Sequence, residues 1–211
     1  MKQDQNGTGG DWIRTTDQEF ISLVFDNDCM LTFHLNTWIR YNLTNRFFWK
    51  NMKLLVVFYS LTGKTKLVSK VIAEALDATL LEIKETKPRR LGLFIYLTGG
   101  FAAVMNRGSR IIPLDVNLKQ YETIFIGSPN WASRPTPAIN SFIYKNDFRG
   151  QSIVPFFTMG GNNSDKALAN ITTKIETSQG KVVGSFAIQS YGLTDEEITA
   201  MAKEAIKNYS N

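Results

Sequence analysis

The 211-residue sequence has one cysteine, Cys29, and one histidine, His34, and both precede Met52. Residues 52–211 therefore hold no disulfide, no zinc site built on thiolate or imidazole, no Cys or His nucleophile and no triad with a histidine base. Any redox chemistry there has to be borrowed. Long apolar runs are missing too. The longest are strand-sized, against the roughly 20 residues that cross a bilayer, and the chain does not open with a basic region, an apolar stretch and a small-residue cleavage site. The expectation is a cytoplasmic protein without membrane insertion.

Charge of one sign is only mildly scarce, with 24 Lys and Arg against 19 Asp and Glu. The surplus lies in residues 52–211, which carry 19 basic and 13 acidic groups. Spread over that length, it describes an ordinary solvated surface, and no nucleic-acid role is expected. With 43% apolar and 20% charged residues the composition matches soluble globular proteins and excludes wholesale disorder. The length suits one ample domain, or one medium domain with an extension.

Residues 1–51 show no sustained period of 2 or 3.6, although aromatic residues such as Trp38, Phe47, Phe48 and Trp49 are plentiful. They are expected to be an N-terminal extension, poorly ordered or preceding the true start. A partner-binding arm is the competing reading. From Met52 onward strands and helices alternate. Leu54 to Tyr59 is a continuous apolar run, as in a parallel strand covered on both faces. Leu67, Val68, Val71, Ile72, Ala75 and Leu76 then mark the inner face of a helix starting near Gly63 or Lys64. Further strands are expected at 79–83, 123–127, 153–158 and 181–188. Pro155 counts against a fully paired central position for the fourth. Ala138, Ile139, Phe142 and Ile143 mark one helix, and Ser164 is placed to cap the next, which turns Ala167, Leu168, Ile171 and Ile175 inward. Thr194 and Glu197 have capping-box spacing before a helix burying Ile198, Met201, Ala202, Ala205 and Ile206. Five βα units of this length predict an α/β fold with one open, doubly wound parallel sheet.

In such sheets ligands bind beyond the carboxyl ends of the strands, near the point where strand order reverses. The loop after the first strand, Ser60-Leu61-Thr62-Gly63-Lys64-Thr65, sets hydroxyls and a glycine at a helix N-terminus. There, unpaired N–H groups and the positive end of the helix dipole favour an anion, and the hydroxyls of Ser60, Thr62 and Thr65 can add donors. Capping alone is the competing explanation. A nucleoside triphosphate loop is excluded, because its first glycine would have to stand at Phe58. A phosphorelay receiver is disfavoured, because no carboxylates end the first and third strands to hold magnesium.

The Ser60–Thr65 loop is similar to the S/T-x-T-G-x-T phosphate loop of flavodoxins. Ile126-Gly127-Ser128-Pro129-Asn130-Trp131-Ala132 resembles the second flavin loop of the short, single-domain members, and Pro155-Phe156-Phe157-Thr158-Met159-Gly160-Gly161-Asn162 resembles the third. The resemblance covers residues 52–211. It implies a five-stranded sheet in the order 2-1-3-4-5 with helices on both faces, and FMN as cofactor. Ser60, Leu61, Thr62, Gly63, Lys64 and Thr65 would bind its phosphate side, while Pro129, Asn130, Trp131, Ala132, Gly160, Gly161 and Asn162 would bind its ring side. Trp131 is the expected ring neighbour, with a core tryptophan as the alternative. The glycines would admit close backbone approach, or simply make a turn.

Two departures stand out. Known flavodoxins are strongly acidic, and a basic surround should make the flavin potential less negative. The stretch from Pro88 to Leu114 replaces an ordinary second helix, either as a partner or substrate lid or as packing over the sheet edge. The resemblance implies an electron-transfer protein, monomeric or weakly dimeric, serving a redox partner protein or a small acceptor. The alternatives are an FMN-dependent NAD(P)H oxidoreductase acting on a quinone or similar acceptor, and a flavin-free phosphate-binding or docking domain.

Overall fold

The computed structural model describes residues 53–87, 108–161 and 164–210. The extension expected over residues 1–51, most of the 88–114 stretch and Asn162 lie outside the described residues. Strand β1 (Leu54–Phe58) is buried along its whole length. Helix α1 (Lys64–Leu76) follows, then β2 (Thr79–Glu82), a single 3-10 turn (Leu118–Gln120) and β3 (Thr123–Pro129). Helix α2 (Pro137–Lys145), β4 (Ser152–Met159), α3 (Asp165–Thr177), the short strands β5 (Lys181–Val182) and β6 (Phe186–Gln189), α4 (Asp195–Ala205) and α5 (Lys207–Ser210) complete the order. The sheet runs β2-β1-β3-β4-β5, with β6 also on β4, and every pairing is parallel. This is the expected strand order.

Burial on both faces explains the near-continuous apolar runs. Leu55, Val57, Ile124, Ile126 and Phe157 pack against α2 and α3 on one face. Val56, Phe125, Val154 and Phe156 pack against α1 and α4 on the other. Two helical assignments need correction: Ala75 faces outward on α1, and Met201 is exposed on α4. Each sits at the margin of its apolar stripe, where periodicity alone cannot tell a covered position from a solvated one.

The fourth strand lies inside the sheet without being fully paired, and Pro155 stands within it in register with Ile126. In a parallel ladder successive residues point their N–H and C=O groups alternately to the two neighbours. Ser152 N–H reaches Glu122 on the β3 side, and Ile153 O accepts from Val183 on the other. The donor that Pro155 lacks would therefore face the edge. There the strand expected over 181–188 is broken into β5 and β6, so no ladder bond is forfeited. Within the break, a Cβ at Gly184 would stand 2.0 Å from the Tyr209 hydroxyl.

Gly127 shows how tightly the central strands meet. A Cβ there would lie 2.3 Å from the Phe156 ring, which is fully buried and has no room to yield. Gly127→Ala is expected to cost about 3 kcal/mol through overpacking, read as a lower urea midpoint with an unchanged m value.

Candidate functional site

All strands run parallel, so the loops after β1, β3 and β4 open on one edge of the sheet. In the first, the chain turns at Gly63 with φ +91°, a conformation that L side chains adopt only at a cost, and enters α1. Gly63 N–H donates to Ser60 Oγ at 3.1 Å, which closes the turn. The first intrahelical bond runs from Leu67 N–H to Gly63 O, so the N–H groups of Lys64, Thr65 and Lys66 precede the ladder. No acidic residue stands in that first turn. The helix start therefore keeps both its bare donors and its positive dipole end for an external anion. Thr62 is exposed at the tip.

The six first-loop residues come together as expected, but not all their hydroxyls face a ligand. Thr65 is buried, and its Oγ1 pairs with Thr158 Oγ1 at 2.7 Å. It joins the first loop to the end of β4 from inside. Lys64 leans away to Asp195, with Nζ to Oδ1 at 2.9 Å.

The second loop is held at its base by Ser128, whose hydroxyl accepts from Thr136 N–H at 3.0 Å and donates to Pro129 O at 2.9 Å. Asn130 N–H donates to Thr158 O, tying the loop to β4. Trp131 and Arg134 then exchange both backbone hydrogen bonds at 3.0 Å. Between them Ala132 and Ser133 have φ values of 50° and 59°. Two consecutive positive φ values define a mirror-image tight turn that usually demands Asn-Gly. Here non-glycine residues bear the strain, which persists only where surrounding structure imposes it. Trp131 is half-buried, meeting Tyr59 edge to face at a centroid distance of 6.3 Å. It is neither a core residue nor a free one. The Asn130 Oδ1 atom is buried without a hydrogen-bond partner, which leaves an acceptor for a donor the protein does not supply. Near this loop the Lys174 amine is held below its ordinary range by burial, with repulsion from Arg134 adding to it.

In the third loop Gly160 and Gly161 are exposed. A Cβ at Gly160 would meet only Tyr191, at an ordinary 3.6 Å, and one at Gly161 would meet nothing within 4 Å. Among the described residues, packing thus gives no reason for the pair, whereas close approach of a ligand to bare backbone would. Ser190 fixes the start of this loop, its N–H and Oγ both donating to Met159 O. The contacts of Thr158, Ser190 and Asp195 were not apparent from sequence, because each acts on a loop that is distant along the chain. A cleft of about 480 Å³ lined by Tyr59, Ser60, Leu61, Glu85 and Ile112 flanks the first loop on the β2 side. Among the described residues no cluster of His, Cys, Asp and Glu could hold a metal ion.

Residues 53–197 match the family model described as Flavodoxin. A protein from Bacteroides uniformis described as a flavoprotein is 25% identical, with a TM-score of 0.62 over 72% of this chain and 98% of that one. A flavoprotein from Lactobacillus acidophilus, solved in complex with FMN, is 23% identical, with a TM-score of 0.57 over 64% of this chain and 93% of that one. No curated protein matches the chain.

The buried hydroxyl pair gives this geometry a direct test. Thr65→Val should cost about 1–2 kcal/mol by stranding the Thr158 hydroxyl. Combining it with Thr158→Val should recover most of it, a non-additivity that urea unfolding of the two single variants and the double variant will measure.

Proposed function

Because the chain belongs to the flavodoxin family, whose model it matches over residues 53–197, we propose that it binds FMN across these three loops and carries electrons between redox partners. The observation that carries the reading is the start of α1, where bare amides and a glycine with φ +91° meet no acidic residue. A phosphate monoester fits that chemistry. The amides of Lys64, Thr65 and Lys66 and the hydroxyls of Ser60 and Thr62 would hold it. Trp131 offers a flat apolar surface, the unpartnered Asn130 Oδ1 an acceptor, and Gly160 and Gly161 unobstructed backbone for the ring side. The FMN bound by the Lactobacillus acidophilus flavoprotein supports the same assignment.

Bound FMN supplies the electron-accepting chemistry that the side chains lack. The protein's part is to bind, orient and shield. No Cys or His follows Met52, so no thiol or imidazole step enters this reading, which takes the chain as a carrier. Its partners would be another redox protein or a small acceptor. Among the described residues no helix is long and apolar enough to cross a membrane, and a cytoplasmic setting is part of this proposal.

The test is a visible spectrum of the purified full-length chain after mixing with excess FMN and gel filtration. A retained, shifted flavin band is expected, lost when Thr62→Ala is combined with Gly63→Asp. A folded protein that retains no flavin would overturn the assignment. Rapid NADPH oxidation by the holoprotein alone would replace the carrier with an oxidoreductase.

A further inference from the structure

The first turn of α1 carries two lysines where an anion is to bind, yet neither ammonium group is left at the anion. Lys64 Nζ reaches Asp195 Oδ1 at 2.9 Å and Leu193 O at 3.5 Å. Lys66 Nζ reaches Glu82 Oε2 at 2.9 Å on the other flank. α1 and α4 pack side by side. Each follows a parallel strand, so their N-termini share the ligand edge. The first turn of α4 carries Asp195, Glu196 and Glu197, and that of α1 carries no acid. Acidic residues thus stand at the start of α4 and not at that of α1, and one of those carboxylates takes Lys64. Glu82, at the end of β2, does the same for Lys66.

Surface ion pairs of this kind contribute little to stability. Next to an anion site their effect lies elsewhere, because the partner decides where the cation stands. We propose that Asp195 and Glu82 tune the phosphate site by drawing the Lys64 and Lys66 ammonium groups to opposite flanks of α1, so that phosphate is held by amides and hydroxyls and not by cations. The inference rests on the FMN reading of the site. Asp195 and Glu82 touch no ligand; they act through the lysines. Binding then stays insensitive to salt, since neutral donors are not screened as free cations are.

The experiment titrates the full-length protein, Asp195→Asn, Glu82→Gln and Asp195→Glu with FMN and with riboflavin, which lacks the phosphate, at low and high KCl. For the wild type, the ratio of FMN to riboflavin affinity should change little with salt. In Asp195→Asn and Glu82→Gln a released lysine should raise that ratio about three- to fivefold at low salt, with the gain disappearing at high salt. Asp195→Glu should restore the wild-type ratio. Wild-type FMN binding with an unchanged ratio in both neutral variants would overturn the masking while leaving the FMN assignment standing. A fall in both affinities together would overturn it as well, showing the pairs to be structural braces. Wild-type protein that binds neither flavin would remove both proposals.

Discussion

The inner strands of a parallel sheet covered on both faces leave backbone polar groups unpaired only at their ends, and each helix that returns across the sheet leaves unpaired N–H groups at its start. The ligand edge follows from that constraint. The order β2-β1-β3-β4-β5 sends the chain from β1 to one side and from β3 to the other. Their loops part at the reversal point, and the start of α1 lies beside the opening. The core requires only that the strands be apolar and parallel. The site arises at their carboxyl ends.

What distinguishes this edge from the end of any α/β sheet is where the chain accepts local cost. Gly63 takes a left-handed turn without strain, but Ala132 and Ser133 take two in succession with side chains present. The surrounding bonds hold that turn in place: Ser128 closes its base, Asn130 N–H fixes it to β4, and Trp131 and Arg134 bond across it. The buried Thr65–Thr158 pair then couples the first loop to β4, which also anchors the third loop. Three loops far apart in sequence are thereby set against one another before any ligand arrives, which reduces the ordering that binding would require.

Much of this was legible in the sequence, for identifiable reasons. Continuous runs such as Leu54 to Phe58 report burial on both faces, and glycine, hydroxyl and helix start stand close enough at residues 60–65 to be read together. The capping box of Thr194 and Glu197 forms as its spacing predicted. Ser164 occupies its expected cap position but makes no side-chain cap bond. Pro155 signalled incomplete pairing, and the fold shows where it falls: the missing donor would face the neighbour that is broken at Gly184. The Thr65 hydroxyl has a partner that local pattern could not supply, 93 residues away. Lys64 was placed among the phosphate-side residues, and its ammonium group pairs with Asp195, 131 residues on. Local pattern reveals which groups are available. Only the fold reveals which are already taken.

The central claim is that phosphate is held by the amides opening α1, and backbone amide NMR of the full-length protein titrated with FMN tests it most directly. The largest shifts should fall on Gly63, Lys64, Thr65 and Lys66, and riboflavin should leave those four amides nearly unmoved while still shifting signals around Trp131. FMN-induced shifts that bypass residues 63–66, or that riboflavin reproduces there, would contradict it.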